Sequence, residues 1–252
     1  MIGVNQPEDY ASRRRDGPGI AWRLTTLLLL SPCAVWLAAC GGGAPAVIAS
    51  LDGTFSDHAV AAKCLSDLGR AADLAAERGG SFTFFAYDGD PLSRRGIAVD
   101  FGDLSIPNDL KGTSKEAEYR VEKARPVLGE MEELAAERPS LGGTPLLGVL
   151  TRIARIGQES GGESEHAVNC GDGLWTDLKP GMSQREVHAL AQSIPPGLEG
   201  MTIDFVGLSA SSPGSGRWVE RLRPLVQKVL QERHAHLGVY DIELPADWPQ
   251  GS

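Results

Sequence analysis

The sequence predicts an α/β fold: a doubly wound, mostly parallel sheet with helices on both faces and an antiparallel strand at one edge. Two observations carry this. Short apolar, β-compatible runs alternate with longer stretches of helical periodicity from residue 46 to residue 244, the pattern of strand-helix units. Asp52, Asp88 and Asp172 each stand at or just past the end of such a run, so all three belong on one edge of the sheet. The apolar fraction of 42% over 252 residues suffices for a real core.

The elements follow in order. Val47-Ile48-Ala49-Ser50-Leu51 is apolar throughout, as a strand buried on both faces requires, and Asp52-Gly53 breaks it into a polar loop. Ser56 to Arg78 reads as a helix with apolar residues at 60, 61, 64, 65, 68, 72 and 75, ended by Gly79-Gly80. Ser81 to Tyr87 is a second strand, Asp88-Gly89-Asp90-Pro91 a turn, and Gly96 to Phe101 a short hairpin partner at the sheet edge. Residues 103–140 form a helical insert, in which Pro126 breaks or kinks the helix from Ser114 to Arg138. Thr144 sits at an N-cap position with Pro145 as first helical residue, and that helix runs to about Ile156.

His166 to Cys170 is a strand followed by Gly171-Asp172-Gly173. Ser183-Gln184-Arg185-Glu186 is a capping box that opens a helix to Gln192. Met201 to Leu208 is a strand, Arg217 to His234 a helix bent at Pro224, and Val239 to Leu244 the last strand, with a tail at 245–252.

The first 39 residues stand apart from this domain. Arg13, Arg14, Arg15 and Arg23 form a positive region, and Leu24 to Ala39 carries no charge. That stretch is short for a membrane span and ends in small residues, as a secretory signal does. Leu37-Ala38-Ala39-Cys40 followed by Gly41 resembles the lipobox of bacterial lipoproteins. The resemblance implies cleavage before Cys40, acylation of that cysteine, a tether over 40–45, and a domain held at the extracytoplasmic face of the cell membrane.

The chain beyond residue 39 carries 20 Lys and Arg against 30 Asp and Glu. That balance argues against a nucleic-acid partner, which needs a positive footprint. Cys64 lies on the apolar face of its helix and Cys170 ends a strand. A disulfide between them and two separate buried thiols both fit the sequence.

The chemistry concentrates in Asp52, Thr54 and Ser56, alternate oxygen-bearing side chains in one loop at a strand end. An all-oxygen set of this kind suits a hard cation such as Mg²⁺. Asp52-x-Thr54-x-Ser56, then Gly143-Thr144 before a helix, then Asp172-Gly173 after a strand, resembles in order the von Willebrand factor type A domain. Threonine replaces the first serine of that family's opening motif and keeps its hydroxyl. The resemblance implies a metal-ion-dependent adhesion site. Thr54 and Ser56 would donate hydroxyl oxygens, Asp52 would bind directly or through water, Thr144 would approach on engagement, and Asp172 would act through water. It further implies a protein or peptide partner whose acidic side chain completes the cation's shell, with Asp88, Asp90 and Trp175 on the rim and no catalysis; a tryptophan packed within its own loop is the other reading of Trp175.

The same residues bear a second resemblance. Asp52-Gly53-Thr54 and Gly171-Asp172 through Asp177 are similar to the first and last motifs of haloacid-dehalogenase-like phosphatases, but Ser50 stands where that family has its nucleophilic aspartate. A third reading is a structural surface module with a vestigial site. No zinc-ligand spacing, P-loop or Gly-x-Ser-x-Gly elbow occurs.

Overall fold

Strand β1, Ala46–Asp52, is buried along its whole length, and the sheet is built outward from it. The computed structural model describes residues 44–54, 58–92, 95–137, 143–160, 164–209 and 215–249. The expected signal segment at 1–39, Cys40 with most of the tether, and Ser56 lie outside the described residues.

After β1 the chain forms α1 (His58–Glu77), β2 (Ser81–Tyr87), β3 (Gly96–Asp100), α2 (Lys115–Ala136) and α3 (Leu146–Glu159). It continues through β4 (Ser164–Cys170), α4 (Gln184–Gln192), β5 (Thr202–Val206), α5 (Gly216–Glu232) and β6 (His236–Tyr240). The sheet order is β3-β2-β1-β4-β5-β6, and every pairing is parallel except that of β2 with β3. The winding therefore runs one way from β1 through β2 and the other way from β4 through β6. The reversal falls between β1 and β4, where a parallel sheet leaves a crevice at its carboxyl edge.

Strand alternation sorts the core into two layers. Val47, Ala49 and Leu51 pack with Leu68 of α1 and Met131 of α2. Ile48, Phe85 and Phe205 pack on the opposite face with Leu150 of α3, Val187 of α4 and Leu222 of α5. The insert is thus a packed layer: Ala124, Val127, Met131 and Leu134 of α2 are buried. Pro126 lies inside α2, which runs on as one helix of 22 residues. Its exposed position leaves the unpaired carbonyl one turn back to water. No helix among the described residues is long and apolar enough to cross a membrane.

The last strand differs from expectation. It spans His236–Tyr240, not Val239 to Leu244, because the chain leaves the sheet to pack beneath it. Leu244 and Trp248 are buried in the α1–α2 layer. Arg70 of α1 donates to the carbonyls of Leu244 at 3.2 Å and Pro245 at 2.6 Å. Residues 245–249, part of the expected tail, therefore belong to the packed body.

Cys64 of α1 and Cys170 at the end of β4 form a disulfide, with Cα atoms 5.8 Å apart and 106 residues between them in sequence. It ties α1 to the strand that leads directly into Gly171-Asp172.

Candidate functional site

Asp52 ends β1 beside the winding reversal and is 1% exposed. Strand alternation turns its side chain to the α3 face, the same side as Ile48 and Ser50. Its Oδ1 accepts hydrogen bonds from the Thr54 backbone N–H at 2.9 Å and the Thr54 hydroxyl at 2.7 Å. Its Oδ2 accepts from the Thr144 hydroxyl at 2.6 Å, across 92 residues of sequence. The structure thus brings Asp52, Thr54 and Thr144 together.

Thr144 does so in place of the helix-capping role expected of it. The α3 N-cap is Pro145, with no side-chain cap of its own. Asp177 supplies the cap from a distance: its two carboxylate oxygens accept the Leu146 and Leu147 N–H groups, each at 2.8 Å. That frees the Thr144 hydroxyl for Asp52. The loop carrying Asp177 is docked by a short parallel bridge between Thr144 and Trp175, with Thr176 N–H donating to the Thr144 carbonyl at 2.9 Å. The capping role of Asp177 is one that local sequence signals did not reveal, since its partners lie 30 and 31 residues away.

Asp172 follows β4 in the same loop and is half-buried. Its Oδ1 accepts the Leu174 N–H at 2.9 Å, and its carbonyl accepts the Ser209 N–H at 3.0 Å, fixing the loop between β4 and the β5 end. Its negative charge bears on Asp52. Burial pushes the Asp52 carboxyl above its usual range, against the three hydrogen bonds that favour its charged form, and Asp172 adds to the upward push.

The rim residues fare differently. Asp88 is 1% exposed and accepts the Asp90 N–H at 3.0 Å, while Asp90 accepts the Leu92 N–H at 3.2 Å, so both carboxylates shape the β2–β3 loop. Trp175 is not a rim anchor. It is 3% exposed and packs edge-on against Phe205 with ring centroids 5.5 Å apart. Its ring is apolar enough to be worth more in the core than in water. The exposed large hydrophobics among the described residues are Leu92, Trp218 and Ile242, at 45%, 41% and 53%. They follow the carboxyl ends of β2, β5 and β6, so all three belong to the edge that carries Asp52.

Beneath the site lies a buried polar floor. Ser50, Tyr87 and Asn169 sit on neighbouring strands, with Asn169 Nδ2 donating to Ser50 Oγ at 3.1 Å and to Tyr87 Oη at 2.8 Å. Ser50 is fully enclosed.

Among the described residues no group of three or more His, Cys, Asp or Glu is arranged to hold a metal ion. The donors that do converge are one carboxylate and two hydroxyls, with a second carboxylate nearby. Such a set fits a hard cation that keeps several waters, not one needing a carboxylate cage.

No family model matches the chain, and no curated protein does. Among solved structures it is similar to the pilus adhesin SpaC from Lactobacillus rhamnosus GG in its open conformation, at 10% identity and a TM-score of 0.46, over 81% of this chain and 28% of that one. A second crystal structure of SpaC gives 10% identity and a TM-score of 0.44, over 80% and 29%. The chain therefore spans less than a third of that adhesin's length.

Proposed function

We propose that this chain is a lipid-anchored, extracytoplasmic binding module of von Willebrand factor type A-like design, without catalytic activity. It engages a protein or peptide through a divalent cation, Mg²⁺ by preference, held by Asp52, Thr54, Ser56, Thr144 and Asp172. The anchor, through Cys40, rests on the lipobox-like sequence alone. The observation that carries the site is the Thr144 hydroxyl on Asp52 Oδ2 at 2.6 Å, joining two distant segments at the winding reversal.

The electrostatics support the reading. A buried carboxylate pushed toward neutrality by its surroundings and by a second carboxylate gains most from a cation, which reverses both effects. The hydroxyls of Thr54 and Thr144 now donate to Asp52, and each retains lone pairs that can face a metal. With few carboxylates bound directly, the cation stays electrophilic enough to take an acidic side chain from a partner. Leu92, Trp218 and Ile242 on the same edge suit a macromolecular partner, since exposed apolar anchors supply much of the binding energy at protein interfaces. The phosphatase reading is disfavoured by Ser50, which is enclosed in the sheet and bonded to Asn169.

Calorimetric Mg²⁺ titration of the wild type and Asp52→Ala tests the proposal. The wild type should bind and the variant should not, with both remaining folded. Equal heats in the two proteins refute the site, and phosphatase turnover sensitive to Asp52 replaces this reading with an enzymatic one.

A further inference from the structure

Tyr87 ends β2 next to Asp52 in the sheet register and is 1% exposed. A phenylalanine would pack as well, and a buried phenol is costly unless its hydroxyl is used on both its donor and acceptor sides. The acceptor side is accounted for. The Asn169 amide carries two N–H protons, and Nδ2 lies 3.1 Å from Ser50 Oγ and 2.8 Å from Tyr87 Oη. The alternative bond, from Tyr87 Oη–H to Asn169 Oδ1, is longer at 3.2 Å. With Asn169 donating to the phenol, the phenolic proton is available to another acceptor.

Gly171 shows what stands beside the phenol. A Cβ at this position would lie 3.1 Å from Tyr87 Oη, 3.4 Å from Asp52 Cβ and 3.6 Å from Asn169 Oδ1. The glycine thus leaves a gap bordered by both the phenol and Asp52, one residue before Asp172. A methyl group there would fill that gap and crowd the phenol oxygen.

We infer that Tyr87 is a positioning residue of the candidate cation site: across the gap at Gly171 its phenol donates to the shell formed around Asp52 and Asp172. This rests on the cation reading above. Groups that orient metal-bound carboxylates and their waters from behind set affinity without touching the metal. Ser50 and Asn169 then have a shared purpose: they hold the phenol oxygen so that its proton faces the site.

The test is Mg²⁺ titration of the full folded domain, read both by calorimetry and by the tyrosine ultraviolet difference spectrum. The wild type should bind Mg²⁺ and show a tyrosine difference signal. Tyr87→Phe should keep its far-ultraviolet dichroism and cooperative urea transition, lose that signal, and bind Mg²⁺ about ten-fold more weakly or worse. Gly171→Ala, which retains the phenol but fills the gap, should also weaken Mg²⁺ binding, and it stands in if Tyr87→Phe does not fold. Wild-type affinity in either folded variant overturns the inference while leaving the site intact. Absence of Mg²⁺ binding in the wild type itself overturns the cation reading, and this inference with it.

Discussion

Opening the Cys64–Cys170 disulfide should cost the fold much of its stability. The bond closes a span of 106 residues, so an unfolded chain that keeps it is far more restricted than one that does not. For a loop of that length the chain-entropy model gives about 16 cal/mol/K, or about 4.8 kcal/mol at room temperature. That is a large share of the net stability of a domain, typically about 5–15 kcal/mol. The assay is urea unfolding of the wild type with and without reductant, beside Cys64→Ala/Cys170→Ala. At a slope of about 2 kcal/mol per molar urea the midpoint should fall by about 2.4 M on reduction. The double variant should fall at least as far, because it also loses sulfur packing in a layer where both residues are at most 2% exposed. Oxidised and reduced proteins that unfold within about 1 kcal/mol of each other refute the cross-link as a constraint on the unfolded chain.

Two further substitutions probe the polar interior. Thr144→Val keeps the shape and removes the donor to Asp52 Oδ2, so it should destabilise by about 1.5–3 kcal/mol, the range for a bond to a charged group, while Thr144→Ser should lose far less. Equal urea midpoints for the Val and Ser variants would mean the hydroxyl bond contributes nothing. Asp204 accepts Val239 N–H at 2.6 Å and Trp248 Nε1–H at 2.8 Å, and burial raises its carboxyl above the usual 3.8, while His166 pulls it down. The folded state therefore binds this proton more readily than the unfolded state. Its contribution is fully present below 3.8 and is lost as pH rises through the raised folded value. The stability of the wild type relative to Asp204→Asn should fall across that window and level off above it, offset by the lost Trp248 bond. A difference that does not change with pH sinks the argument.

What the sequence disclosed follows from the range of each interaction. The β1 strand and the polar loop at Asp52 involve neighbours, and both were legible. So was the capping box of α4, in which Ser183 and Glu186 satisfy each other's donors. The bond from Thr54 to Asp52 was not, because the sequence reading gives the Thr54 hydroxyl to a cation. The antiparallel edge strand β3 followed from its short turn after β2. Thr144 was located correctly on the edge yet given the wrong local task, because the residue that caps α3 in its place is Asp177.

The last strand failed for a related reason. Asp241 and Glu243 alternate with Tyr240, Ile242 and Leu244 as in a strand, but the alternation does not say which partner the backbone takes. In the structure Asp204 accepts the Val239 N–H through its side chain, and the pairing of β5 with β6 shifts register at that point. Gly238 permits it: a Cβ there would come within 2.1 Å of Asp204 Oδ1. The carbonyls of Asp241 and Ile242 still accept the N–H groups of Leu208 and Gly207, and beyond them the chain turns under the sheet, where Leu244 fills the α1 layer and Arg70 donates to its carbonyl. The same logic separates Asp52 from its supports. A carboxylate at the end of a buried strand is visible in sequence because burial and charge conflict there. The groups that resolve the conflict are ordinary in their own segments. Thr144, Asp177, Tyr87 and Asn169 acquire meaning only once the winding brings β1, β2 and β4 side by side.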